Sequence, residues 1–445
     1  MKAVTQAAVF LCILFIAPKG DAQTTTSLDP PQDLPQSLSQ PLSVAQCIRL
    51  AQASLPTQRT QQGRLHAAEA QLTQARTWPN PIYTYTAQDI ALQTASGAPL
   101  LLQQHTLSFQ PLFAYAKQQE ASVARANLER TAATLDEERR QISLAVGRAY
   151  YDVLLAARLA TVEEQAVAAA HELVIGTELR VGRGDAGQLE VTRAHAEELE
   201  ARRSAELWLR RSELGELALS IALGATMPQR LQLIEDWSGG SLPLPVSVRA
   251  FMAQPEGQLE SVRPALRAMA LRQRPELRQA AAELRQAEEQ RQAELRRTIP
   301  LADLQVSVAA RITAVGTGAL VAASAPVSIF DWNQGPRRRA LAQIEIARAA
   351  QMRSERQVLL DVDSALLDWQ RANQALGHRV RPLVHARELA LAATRRQFQA
   401  GVVSLLDVIT AQRDLLAARR LETQSSYESA LALLQLAMAL AVPVD

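Results

Sequence analysis

The chain has 445 residues, with 47 Lys and Arg against 45 Asp and Glu, a formal charge of +2. That balance carries no nucleic-acid footprint, and aromatics at 4% are few for a compact core of this size. Ala, Leu, Gln, Arg and Glu dominate instead, the composition of long packed helices.

Residues 1–22 read as a secretory signal. Lys2 supplies the charge, Ala7 to Ala17 a short apolar core, and Gly20-Asp21-Ala22 the small residues for cleavage. A short N-terminal anchor is the alternative. Cys12 lacks the small preceding residue of a lipoprotein site. Cys47 would be the one cysteine left, so neither an intramolecular disulfide nor a cysteine metal site is expected. No run reaches the ~18 apolar residues of a membrane helix, which leaves a transmembrane β-barrel open.

Residues 23–41 are rich in Thr, Ser, Gln and Pro and read as an extended leader. A first repeat is expected over 42–225. Leu42 to Ser54 is a short amphipathic helix, broken at Pro56. Gln58 to Arg76 continues with Leu65, Ala68 and Leu72 on one face, and Trp78-Pro79-Asn80-Pro81 stops it. Short strands follow near 82–92 and 101–111. In the second, Leu101, Leu107 and Phe109 face one way and Thr106, Ser108 and Gln110 the other; alternation in the first is weak. A long helix is expected over 114–177. Ala114, Ala121, Leu128, Leu135, Ile142, Ala149 and Ala156 recur every seven residues, with a second stripe at Val146, Val153, Ala160, Val167 and Val174. Its return helix covers 189–223.

Residues 226–262 read as an irregular connector, the irregularity extending to Pro264. The pattern then restarts as a second repeat over 263–445. Pro275 stands 219 positions after Pro56, and Pro300 the same distance after Pro81. Strands are expected near 303–313 and 319–330. Leu304, Val306, Val308, Ala310 and Ile312 form one face of the first. After Gly316-Thr317-Gly318, Val321, Ala323, Ala325, Val327 and Ile329 form one face of the second. Such strands suit a wall between lipid and water, the alternative being a half-buried soluble sheet. Long helices follow at 335–397 and 404–440. Val362, Trp369, Leu376, Leu383 and Ala390 match the upstream valine stripe at an offset of 216, and Pro382 should kink the helix or open a turn.

Two tips close the hairpins. Gly184, Leu189, Glu190 and Val191 match Gly401, Leu406, Asp407 and Val408, and Ser404 stands where a hydroxyl can cap the next helix. The helix–Pro-Asn-Pro–hairpin–long-helix order, its duplication and the Gly-x-x-Ser-Leu-Leu-Asp-Val tip resemble the outer-membrane factor family, the TolC-like channels of tripartite exporters. That resemblance covers nearly the whole mature chain. It implies a mainly α fold with a small β-barrel contribution: four strands per subunit in a trimeric twelve-strand barrel on a helical periplasmic tunnel. It implies an outer-membrane duct without catalysis or cofactor. Its partners would be a periplasmic adaptor, an inner-membrane pump of the RND type, outer-membrane lipid and two further copies.

Carried residue by residue, the resemblance places adaptor docking at Arg180, Val181, Gly184 and Gly187, and at Gly401, Val402, Val403 and Ser404. It places the gate at Asp407, Glu190, Phe398 and Thr410, with Thr410 where a second acid often stands. Three Asp407 carboxylates near a threefold axis would repel and raise one another's pKa; the alternative is an ordinary first-turn acid. The latching hydroxyl and arginine of relatives are replaced by Phe398 and Val403, so apolar packing is expected to hold the gate. The length and the Trp-Pro-Asn-Pro segment are similar to the heavy-metal cation branch; drug efflux, type I protein secretion and a non-pore coiled-coil scaffold are the alternatives.

Other motifs carry no chemistry. Gly182 to Gly187 spells Gly-x-Gly-x-x-Gly but follows a helix rather than a strand. His378 and His385 lack a third ligand nearby. Asp361 and Asp363 face different sides of a helix. Asp136 to Arg140 is a solvated face, and Arg337-Arg338-Arg339 marks the membrane boundary or begins the helix surface.

Overall fold

The computed structural model describes residues 40–90, 100–110, 113–238, 259–297, 304–313, 316–325 and 329–441. The signal, most of the leader, the second half of the connector, Val327 and the C-terminal Val442-Pro443 lie outside them. The elements in order are α1 (Val44–Ala53), α2 (Leu55–Arg76), β1 (Ile82–Ile90), β2 (Leu100–Phe109), α3 (Phe113–Arg183), α4 (Gln188–Ala222), α5 (Leu259–Gln273), α6 (Pro275–Arg296), β3 (Gln305–Thr313), β4 (Gly316–Ser324), α7 (Gln334–Gln374), a π turn (Ala375–Val380), α8 (Arg381–Gln399) and α9 (Leu405–Ala439).

Helix α3 runs 71 residues, about 107 Å at 1.5 Å per residue. It packs on α1, α2, α4, α6 and α9, while α9 also meets α7 and α8. The valine stripe faces inward: Val146, Val153, Ala160 and Val174 are buried. Gly147 lets α9 approach, since a Cβ there would lie 2.5 Å from a methyl of Leu434. Where the rods meet, Glu163 is fully buried and held by both Nε (2.5 Å) and Nη2 (2.8 Å) of Arg420. The early connector is anchored as well. Leu42 bridges Leu233, and Tyr150 donates its hydroxyl to the carbonyls of Ile234 (2.6 Å) and Leu42 (3.2 Å).

Three expectations are corrected. Pro264 lies inside α5, near its N-terminal end, so the irregular connector stops before it. Strand β4 begins at Gly316 and ends at Ser324, because Gly316, Thr317 and Gly318 pair with Thr313, Ile312 and Arg311 instead of forming a turn; Ala325 and Ile329 fall outside it. The stripe in the second rod shifts by one residue. Val362, Trp369 and Leu376 are buried, but Leu383 and Ala390 are exposed and Val384 and Leu391 take their place. The cause is the π turn, in which Arg381 N–H reaches back five residues to Leu376 O. One extra residue is wound in immediately before Pro382, whose ring and missing N–H an α-helix cannot absorb.

The four strands form one antiparallel sheet in the order β1-β2-β3-β4. They hold 9, 10, 9 and 9 residues, the length of a tilted membrane-crossing strand, about 9–11 residues.

Candidate functional site: the strand wall and the two hairpin tips

Residues directly opposite in an antiparallel ladder share a face. The register therefore places Tyr83, Tyr85 and Ala87 of β1 beside Leu107, His105 and Gln103 of β2. These sit beside Val308, Ala310 and Ile312 of β3, which pair with Val321, Ala319 and Thr317 of β4. Phe109, Val306 and Ala323 extend the same face. The opposite face carries Thr84, Thr86 and Gln88, Gln104, Thr106 and Ser108, and Gln305, Ser307 and Arg311, with Leu102, Ala309, Leu320 and Ala322 among them, so it is the more polar of the two. The apolar side is uncovered in one protomer: Val321 is 70% exposed and Tyr85 51%. Tyr83 and Tyr85 escaped the sequence reading, because the flanking Ile82, Thr84 and Thr86 are as β-prone and Ala87 and Asp89 end the apolar series, so β1 alternates weakly until its register with β2 is known. Tyr83 Oη lies 2.6 Å from His105 Nδ1, and the Tyr85 ring lies 5.1 Å from it. All four strands meet the helical part at one end, where Ile82 faces Ser108, Phe109 faces Val306 and Gln305 faces Ser324.

The tips share one backbone solution. Asp185 N–H bonds Arg180 O (2.9 Å) and Gly184 N–H bonds Val181 O (3.0 Å); Val402 N–H bonds Gln397 O (2.9 Å) and Gly401 N–H bonds Phe398 O (3.0 Å). These paired bonds satisfy the last carbonyls of α3 and α8. Gly184 at φ 83° and Gly401 at φ 72° occupy the left-handed region that a Cβ disfavours. The caps beyond differ. Ser404 and Asp407 form a reciprocal capping box: Ser404 Oγ accepts from Asp407 N (3.4 Å) and Asp407 Oδ2 accepts from Ser404 N (2.8 Å) and Oγ (2.7 Å). Those bonds hold the Asp407 carboxyl below the usual aspartate range. Within one protomer the direction is thus opposite to that expected of a ring. Gly187 caps α4 with no side chain at all.

A side-chain pair joins the two tips. The guanidinium carbon of Arg180 lies 4.4 Å from the centre of the Phe398 ring, a cation–π contact. Phe398 also packs on an apolar cluster that includes Leu391, Leu405, Val408 and Ile409. Arg180, one of the residues expected to serve docking, also spans the two hairpins. Its Nη1, like Glu190 Oε2, is closed off from solvent without a hydrogen-bond partner. Thr410 Oγ1 donates back to Leu406 O (2.8 Å). Val402, Leu406 and Leu189 are exposed by 73%, 57% and 62%, and Val181 and Val403 are half-buried.

Away from the tips, Asp361 holds the buried Arg274 (2.5 Å) and Asp363 holds Arg267, so these aspartates are committed to separate ion pairs. Behind the first tip, Glu198 takes His171 (2.9 Å) and Arg202 (2.5 Å). Burial works against its charge, but those partners prevail and hold its carboxyl below the usual range.

Residues 266–442 match the family model for outer membrane efflux protein. Over 421 residues, 92% of each chain, the sequence is 25% identical to the cobalt-zinc-cadmium resistance protein CzcC of Cupriavidus metallidurans. Among solved structures, CusC superposes with a TM-score of 0.72 at 18% identity, covering 92% of this chain and 97% of that one. The open-state outer membrane channel MtrE of Neisseria gonorrhoeae gives 0.67 at 18% identity, covering 89% and 88%. At those identities the likeness to the solved structures is one of fold.

Proposed function

We propose that this chain, whose residues 266–442 match the outer membrane efflux protein family model, is the outer-membrane channel of a tripartite efflux system. It conducts passively what an inner-membrane pump of the RND type and a periplasmic adaptor deliver. Heavy-metal cations are the proposed cargo, on the likeness to a cobalt-zinc-cadmium resistance protein. Residues 1–22 serve as the export signal.

The sheet carries this reading. Four strands of membrane-crossing length have one apolar and one more polar face, and they hang from helices far longer than a globular domain needs. The strand order leaves β1 and β4 as edges. Open edges are not tolerated in hydrocarbon, and closed barrels need about eight strands or more. Further copies must therefore complete the wall, and three copies supply twelve strands.

The gate is assigned to the tips. Arg180 on Phe398 holds the two hairpins of a protomer together. Asp407 of three copies, with one carboxylate oxygen outside its capping box, lines the entrance with Glu190 and Thr410 alongside. The exposed Val402, Leu406 and Leu189, with Val181, Gly184, Gly187, Gly401, Val403 and Ser404, form the adaptor-docking tips.

Reconstitution in a planar bilayer, with mass measurement in detergent, tests the channel. A trimer that conducts supports it; a chain that is soluble and monomeric without detergent is the coiled-coil scaffold instead. Docking is tested with Val402→Cys, which should crosslink to an adaptor in the native envelope. Failure there removes the tip assignment and leaves the channel standing.

A further inference from the structure

We propose that the corner joining β4 to α7 binds the headgroups of anionic phospholipids in the leaflet facing the helices. Phe330 and Trp332 enter the interface, and Arg337, Arg338 and Arg339 hold the phosphates. The inference rests on the barrel reading above and adds a lipid class and a site to it.

The corner lies at the helix end of the sheet, the end where Phe109 and Tyr83 close the apolar face. Phe330 is 90% exposed, more than any other large apolar side chain among the described residues, and Trp332 is 57% exposed. This exposure is built in. Trp332 Nε1 donates to Ile329 O (3.2 Å), Trp332 N to Gln334 Oε1 (2.8 Å) and Asn333 N to Asp331 Oδ1 (2.8 Å). Asn333, in the left-handed region at φ 57°, fastens the corner to α6 by donating Nδ2 to Glu294 O (2.9 Å) and Oε2 (2.8 Å). Amphipathic and aromatic rings fixed at such a level are the signature of the bilayer interface.

The three arginines are exposed, and among the described residues no acid pairs with them. Nor does the helix favour them. Cations near a helix N-terminus oppose its dipole, and α7, like α1, α2, α3 and α8, has no acid in its first turn to offset the three arginines. A cationic cluster without an internal partner, at a position its own helix disfavours, fits an external anion. Guanidinium forks suit phosphate, and the adjacent aromatics choose a lipid over a free phosphate ion or a protein surface.

The experiment compares the wild-type protein with Arg337→Gln/Arg338→Gln/Arg339→Gln, the matching triple Lys variant and Phe330→Ser/Trp332→Ser. Each is reconstituted in phosphatidylethanolamine with or without phosphatidylglycerol, and retained lipid is measured by native mass spectrometry. The wild type should retain phosphatidylglycerol preferentially and lose it in high salt. Each arginine removed should cost about fivefold in that preference; the Lys triple should keep most of it, and the aromatic variant should release both lipids. Equal retention by wild type and Gln triple, with conductance intact, overturns the headgroup site alone. A Gln triple that dissociates into monomers at unchanged lipid preference overturns it in favour of a contact between copies. A wild type that neither inserts nor conducts removes the barrel reading itself.

Discussion

The two rods of the chain start from one pattern and end in different states. In the first, α3 continues unbroken from Phe113 to Arg183, with Val153, Ala160 and Val174 buried. In the second, the stripe follows at an offset of 216 from Val153 to Trp369 and from Ala160 to Leu376. It changes to 217 from Val174 to Leu391, and stays there from Gly184 to Gly401. The second copy therefore carries one more residue, and the π turn at Ala375–Val380 is where it is stored. A long helical rod tolerates an inserted residue only where its hydrogen bonding can be rewound locally, and Pro382 fixes that place.

The strongest way to break the comparison is to add one residue to the rod that lacks such a store. An alanine inserted after Ala166 should turn Leu173 and Val174 out of the interior, at about 1.5–3 kcal/mol for each buried side chain. Denaturant unfolding of the solubilised protein should show a loss of several kcal/mol. The reciprocal variant, deletion of Gly377 with Pro382→Leu, should straighten the second rod with Val384 and Leu391 still inside, and unfold within about 1.5 kcal/mol of the wild type. Equal damage from both changes would mean that the π turn is not the store.

Next in size is the ion pair between Glu163, buried in the first rod, and Arg420 of α9, whose side chain is 44% exposed. Glu163 is sealed against Arg420, while its counterpart at the same offset, Arg379, is exposed. Arg420→Ala should cost about 1–3 kcal/mol by leaving the Glu163 carboxylate without its partner, less than for a fully buried pair because the arginine side is open to water, and Glu163→Leu with Arg420→Met should recover most of it. The unfolding midpoints of the single and double variants decide the matter.

The tips differ at their caps. Ser404→Ala should destabilise the second tip by about 1 kcal/mol; at the first, Gly187 has no side-chain cap to remove. The Asp407 carboxyl sits below its ordinary value in the fold. Its contribution is therefore present at neutral pH, above the unfolded-state value, and is lost as pH falls through the folded-state value. The protection of amides near Ser404, relative to their intrinsic exchange at each pH, should fall on acidification, and Asp407→Asn should abolish that response.

The smallest effect concerns the contact between the hairpins. Arg180→Ala and Phe398→Leu should each weaken the closed tips slightly, with a coupling of about 0.5–1 kcal/mol in a double-mutant cycle. Bilayer recordings should show more frequent opening for both. No coupling would mean that the stacking is incidental.

The legible parts of the molecule were those set by neighbours in the chain. Gly184 and Gly401 must end helices because of their backbone, and Ser404 caps because Asp407 stands three residues on; both facts can be read locally. Long-range partners cannot. Arg180 and Phe398 are 218 positions apart, and nothing in either segment announces the other. The face of β1 became readable only from its pairing with β2. The exposed Leu383 was missed because a seven-residue period was carried through Pro382 without counting the residue that the π turn adds. Pro264 misled because a proline reads locally as a helix breaker, while here it lies inside α5.

The sheet has a consequence in time. Phe109 must find Val306, 197 positions further along the chain. At ~5–20 residues per second, the ribosome needs about 10–40 s to make that interval. The first hairpin therefore exists for a long period with an exposed apolar face and no neighbour on either side. Carriers that shield nascent envelope proteins would be needed most during that wait, and a slowed ribosome anywhere between the hairpins should raise the fraction of chain lost to aggregation.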